Sequence, residues 1–114
     1  MSPEEIVRAE LAAWNRRDID EIMSYFSPDA VWTFPAVTVR GHDSIRAATQ
    51  GYLARMDHAD LEVVNLAVTG NIVMTERVDR FVYEGKRVVT PVMGTFEVAG
   101  DKITAWRDYF DSSG

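Results

Sequence analysis

The chain contains no cysteine. That excludes a disulfide framework and any thiolate chemistry, and it fits a reducing compartment. Lysine is nearly missing: ten arginines and two lysines are scattered along 114 residues, and the net charge is −6. Nucleic-acid binding rests on a basic face that contacts phosphates, so DNA and RNA are not expected partners, and anionic membranes are not either. No apolar run approaches the ~20 residues that a bilayer span requires. The start, Met1-Ser2-Pro3-Glu4-Glu5, is acidic and lacks the apolar core of a secretory signal. These absences together lead us to expect a cytoplasmic protein. The two histidines, His42 and His58, are far apart and have no ligand-spaced partner, so no metal site is expected. No glycine-rich phosphate loop and no Gly-x-Ser-x-Gly elbow occurs.

What remains is an ordinary globular composition, 46% hydrophobic and 26% charged, on a chain long enough for one domain over residues 1–114 and a real core. Ser2, Pro3 and Glu5 form a capping-box start, and Val7, Leu11 and Trp14 follow at helical spacing. Asp18 is placed to cap a second, shorter helix carrying Ile22, Met23 and Phe26, with Pro28 as its stop. Residues 30–35 read as a short strand, Gly41 breaks the chain, and a third helix is expected over 43–56. Four strands follow, over 61–68, 72–83, 87–98 and 102–110. They are separated by turn signals at Gly70-Asn71, Glu84-Gly85 and Ala99-Gly100-Asp101. Helices followed by a run of strands indicate an α+β fold. A curled, mostly antiparallel sheet closed by three N-terminal helices makes a cone with a hollow inside, and such hollows are apolar with a few convergent polar groups.

Three residues are candidates for that polar set. Arg77 and Asp79 are two apart on one strand and so share a face. Asp108 shares a face with Trp106 and Phe110, an apolar setting that is unusual for a carboxylate. Arg-x-Asp alone is as readily a structural ion pair; Asp108 between two aromatics shifts the balance, because a buried carboxylate is costly. One arginine cannot neutralise two carboxylates in a low-dielectric hollow, so the pair shares one proton and offers an acid and a base at the same pH. Pro91 and Met93 share a strand parity and are expected to line the pocket with Trp32, Phe34 and Trp106. Tyr25 and Tyr52, on helices, are read as packing residues.

The stretches Thr75-Glu76-Arg77-Val78-Asp79 and Trp106-Arg107-Asp108-Tyr109-Phe110-Asp111, with Gly85-Lys86 and Gly94-Thr95-Phe96 between them, resemble the limonene-1,2-epoxide hydrolase family. The resemblance is strongest over residues 70–111. It implies a cone fold of the cystatin-like, NTF2-like kind, a small apolar substrate, a homodimer, and no cofactor. It also implies a one-step hydrolysis in which Asp79 protonates the epoxide oxygen, Asp108 takes a proton from water and Arg77 orients both. The chain departs from the family at its Tyr-x-Asn, which helps to hold the water: it reads Trp32-Thr33-Phe34. Asn65 and Thr95 are candidate substitutes, depending on strand register. An isomerase or cyclase on the same fold, and a non-catalytic module that binds an apolar ligand, remain alternatives.

Overall fold

A computed structural model of the protein describes residues 1–112. Helix α1 (Pro3–Arg16) begins with the expected capping box, in which the Ser2 side chain accepts from the Glu5 amide and the Glu5 carboxylate accepts from the Ser2 amide. Its apolar stripe is buried at Ile6, Val7, Leu11 and Trp14. Helix α2 (Ile19–Ser24) starts at Asp18, whose side chain accepts from the Glu21 amide. Helix α3 (His42–Ala54) begins after Gly41, which takes φ 87.

Six strands are present where five were expected: β1 (Phe26–Phe34), β2 (Val37–Arg40), β3 (Met56–Thr69), β4 (Ile72–Tyr83), β5 (Lys86–Ala99) and β6 (Lys102–Tyr109). Strand β2 was not anticipated. It is short, and the turn that precedes it is Pro35-Ala36, which carries no glycine or asparagine even though Ala36 adopts φ 64. Strand β1 begins four residues before the expected start, and Pro28 lies inside it instead of stopping α2. The pairing of β1 with β6 shifts register between Phe26 and Val31, and a proline without an N–H is tolerated at such an irregularity.

The strands form one sheet in the order β2-β1-β6-β5-β4-β3. All pairs are antiparallel except β1 with β6, which run parallel. Register shifts in β3, at Met56/His58 and Val63/Asn65, and in β5, at Glu97/Val98, add local twist and bend. The sheet curls without closing, and the helices cover its inner face. There Ile6, Val7, Ile22, Ile45, Val73, Phe96, Ile103 and Trp106 make the core. The result is the expected cone. Inward residues of β4, β5 and β6, among them Asp79, Thr90 and Asp108, line a cavity beside this core.

Candidate functional site

Strand alternation places Val73, Thr75, Arg77 and Asp79 of β4 on the inner face, all buried. Across the sheet, Thr75 pairs with Gly94 and Gly94 pairs with Asp108. Three neighbouring strands therefore present Thr75 and Arg77, Gly94, and Asp108 to one point. Gly94 is what makes room. A Cβ on it would collide with Arg77 Nη1 and Asp108 Oδ1 and would lie 3.0 Å from Thr75 Oγ1.

Into that space Arg77 lays its guanidinium, and all five of its N–H groups are used. Nε donates to Asp79 Oδ1 at 3.0 Å and Nη2 donates to Asp79 Oδ2 at 2.9 Å. Nη2 also donates to Asp108 Oδ2 at 2.9 Å, and Nη1 donates to Asp108 Oδ1 at 3.1 Å and to Thr75 Oγ1 at 3.1 Å. Both carboxylates are thus gripped by two-point contacts, the geometry to which arginine is best suited. The guanidinium carbon also lies 5.8 Å from the centre of the Trp106 ring, close enough for a cation–π contribution. Burial opposes the charge on Arg77, but the hydrogen bonds and charges of Asp79 and Asp108 outweigh it, so its pKa is raised.

Asp108 has a third donor: the indole N–H of Trp106, 2.7 Å from Oδ1. Burial pushes the Asp108 carboxyl above its ordinary value. The charge and hydrogen bonds of Arg77, and then the Trp106 hydrogen bond, pull it back, while the nearby charge of Asp79 pushes it up again. Three donors converge on Asp108 and two on Asp79. Burial outweighs these donors at Asp108, so its carboxyl stays raised above its ordinary value.

Asp79 and Asp108 open on a cavity of about 690 Å³ whose walls are mainly aromatic: Trp14, Trp32, Phe34, Tyr52, Phe81 and Tyr83 all line it. Trp32 is the hub, with ring centroids 4.9 Å from Phe34, 5.9 Å from Trp14, 6.1 Å from Tyr52 and 5.6 Å from Trp106. Apolar walls with two carboxylates on one side suit a small apolar molecule bearing one reactive polar group. Four hydroxyl-bearing residues line the cavity with the carboxylates, Tyr52, Tyr83, Thr90 and Ser112. Thr90 on β5 pairs across the ladder with Asp79, and Tyr52 reaches in from α3.

The structure thus brings Arg77, Asp79 and Asp108 together and sets Trp32 and Phe34 in the cavity wall. Trp106 lies beneath that wall, where its ring belongs to the core and its N–H serves Asp108. Pro91 and Met93 are corrections. They lie on the outer face of the sheet, where both are exposed and line a shallow depression of about 200 Å³. Parity grouped them correctly with Val89 and Thr95 but gave that set the wrong side; Val88, Thr90 and Val92 are the residues of β5 that line the cavity. Asn65 is also on the outer face, donating to Glu76 at 2.7 Å. Thr95 pairs with exposed Met74, so neither faces the water site. Tyr52, read as a packing residue, lines the cavity; its helical spacing from buried Ile45 and Thr49 carried the signal. His42 meets the Met23 carbonyl at 2.9 Å and His58 is exposed. Among the described residues no group of three His, Cys, Asp or Glu side chains could hold a metal ion, and no helix is long and apolar enough to cross a membrane.

Residues 7–106 match the SnoaL-like domain. The chain is 34% identical over 109 residues to epoxide hydrolase EphG of Mycobacterium tuberculosis, an alignment that spans 92% of this chain and 70% of that protein. Its fold superposes on an LEH-like epoxide hydrolase of M. tuberculosis with a TM-score of 0.86 and 30% identity, covering 94% of this chain and 80% of the other. A Catenulispora acidiphila protein with a ketosteroid isomerase-like fold, in complex with trimethylamine, matches at a TM-score of 0.87 and 23% identity over 99% and 89% of the two chains; that likeness concerns the fold. With these matches added to the curled sheet, the chain belongs to the SnoaL-like domain family and is a homologue of the mycobacterial epoxide hydrolases.

Proposed function

We propose that the protein adds water to a small apolar epoxide in one step, with Asp79 as the acid, Asp108 as the base and Arg77 as the group that orients both. The observation that carries this reading is one buried guanidinium shared by two carboxylates at the wall of an aromatic cavity. One positive and two negative charges leave an excess negative charge where solvation is poor, and a single bound proton removes it. In this reading Asp79, the acid, carries that proton, and Asp108, held by three donors, is the base. A water oxygen then bonds to a ring carbon as Asp108 takes one of the water's protons. The carbon–oxygen bond of the ring breaks, and the freed oxygen takes the proton of Asp79. Transfer of the proton from Asp108 back to Asp79 resets the pair. Both carboxylates act in the same step and no covalent intermediate is formed.

The likeness to the mycobacterial epoxide hydrolases supports the reading. The test is diol formation from a panel of small cyclic epoxides by wild type, Asp79→Asn and Asp108→Asn. Either asparagine variant is expected to lose at least ~10²–10⁴-fold in turnover, the usual worth of a positioned acid or base, with an unchanged circular dichroism spectrum. Wild-type turnover in both variants would refute the mechanism.

Trp32 and Phe34 favour a second reading, because neither can accept a proton from water. In it the same carboxylates isomerise or cyclise a ketone, one removing an α-proton and the other, protonated, steadying the enolate. Exchange of deuterium into the α-carbon of a ketone, without diol from any epoxide, would select it. A pocket that binds apolar compounds and turns none of them over would instead mark a binding module. We also propose that residues 1–114 act as one domain that pairs with a second copy through the outer sheet face. There exposed Met74, Met93 and Tyr109 are accompanied by the ion pairs Arg80–Glu62 and Arg107–Glu97, a balanced pattern that can complement itself. A monomer in sedimentation equilibrium would refute the pairing.

A further inference from the structure

A water attacking an epoxide must be held at two points, since the base alone leaves it free to turn, and orientation is a large part of the rate. Resting on the hydrolase reading, we propose that Tyr52 of α3 is the second point: its hydroxyl accepts one hydrogen of the attacking water while Asp108 takes the other.

The placement follows from the sheet. β1 and β6 run parallel with Trp32 beside Trp106 and Thr33 beside Arg107. The same register continued by one residue sets Phe34 beside Asp108, and both line the cavity. The water side of the acid–base pair is therefore walled by Trp32 and Phe34, which offer it no acceptor. Tyr52 covers these two residues. Its ring stands edge-on to both, with centroids 6.1 Å from Trp32 and 6.1 Å from Phe34, at interplanar angles of 84° and 69°. That aromatic corner fixes the ring while its half-buried edge lines the cavity. The Tyr52 hydroxyl has no hydrogen-bond partner among the described residues, so an acceptor lone pair is open.

The other hydroxyls of the cavity are placed differently, and Ser112 among them is exposed. Thr90 pairs with Asp79, on the side of the ring oxygen. Tyr83 faces Arg55, whose Nη1 lies 3.5 Å from its hydroxyl. Of the hydroxyl-bearing residues Thr90, Tyr83 and Tyr52, it is Tyr52 whose ring packs on both Trp32 and Phe34. In the step, the water's first proton goes to Asp108 and its oxygen bonds to carbon. The second hydrogen stays on that oxygen, hydrogen-bonded to Tyr52 Oη, and becomes the hydroxyl hydrogen of the diol. Tyr52 gains and loses no proton. The packed aromatic wall thus narrows the cavity and supplies the water anchor from a helix instead of from the first strand.

The experiment compares wild type, Tyr52→Phe and Tyr52→Phe/Phe34→Asn for diol formation, with kcat and KM separated and thermal midpoints recorded. Tyr52→Phe removes one oxygen and keeps the ring packing. Its kcat is expected to fall about 10–100-fold, as for a misoriented nucleophile, with KM and midpoint unchanged. Phe34→Asn, placing an amide beside Asp108, is expected to recover part of the lost kcat. Unchanged kcat in Tyr52→Phe overturns the proposal, as does a fall that accompanies a lowered midpoint and is not rescued. Absence of diol from wild type itself would instead remove the hydrolase reading and this proposal with it.

Discussion

Alanine at Gly94 adds a single methyl group where β4, β5 and β6 meet. The backbone there tolerates it, because Gly94 is not among the glycines with positive φ. The space does not. The new Cβ would collide with Arg77 Nη1 and lie 2.6 Å from Asp108 Oδ1, so the carboxylate must retreat by roughly 1 Å to reach ordinary contact. Neither partner can retreat cheaply, since all five guanidinium N–H groups are engaged and Asp108 holds three donors. Overpacking costs about 1–3 kcal/mol, and weakening one hydrogen bond between charged groups adds about 1.5–3 kcal/mol. A loss of about 3 kcal/mol corresponds to a drop of about 12 °C in Tm for a domain of this size. Turnover should fall by about 10², the effect of a 1 Å misplacement of a reacting group. Calorimetry and diol formation under saturating epoxide measure both. A Tm within about 2 °C of wild type, together with full turnover, would show that the trio has slack that the packing denies.

Other perturbations have definite signs. Trp106→Phe removes a donor that favours ionised Asp108, so the Asp108 pKa should rise and the acidic limb of the kcat/KM profile should move up by about one pH unit; an unmoved limb would refute this role for the indole. Glu10 on α1 is fully buried, both its carboxylate oxygens lack a hydrogen-bond partner among the described residues, and burial followed by the charge of Glu21 raises its pKa well above the ordinary value. The folded state therefore holds a proton that the unfolded state releases above pH ~4.3, and stability falls by up to ~1.4 kcal/mol per pH unit from there until the folded pKa is reached. Glu10→Gln should remove that fall, so its urea midpoint should gain on wild type between pH 4.5 and 7; parallel curves would show that Glu10 is solvated. Thr75→Val takes one acceptor from Arg77 Nη1 and should cost about 1–3 kcal/mol for the donor left unpaired, read by urea denaturation; no change would place a water there.

The residues that made the sequence legible are those whose signal is local. The Ser2–Glu5 capping box, the turns at Gly70 and Gly85, and the alternation of Arg77 and Asp79 depend on spacings of two to four residues, and each is present in the structure. The facing of β5 did not follow from the same rule. Pro91 and Met93 alternate as regularly as Thr90 and Val92, and only the pairing Asp79↔Thr90 and Arg77↔Val92 decides which set faces inward. Strand β2 was hidden because four residues carry little periodicity and Ala36 gives no warning of its left-handed turn. The converse holds for Gly94 and Thr75. Both fall in the stretches that carry the family resemblance, but no local spacing shows what they do: each matters because the sheet sets it against Arg77. Tyr52 belongs to this class as well: helical spacing turns it inward, but its packing on Trp32 and Phe34 at the cavity wall is a contact between residues far apart in the chain.

The most direct test of a water activated by Asp108 is a single turnover in ¹⁸O-labelled water with enzyme in excess over epoxide. Direct attack puts the label into the diol in that first turnover, and Asp108→Asn abolishes the labelled product. An unlabelled first diol, with ¹⁸O found later in an aspartate carboxylate, would mean that an enzyme oxygen attacked the ring, and the paired acid–base mechanism would be wrong.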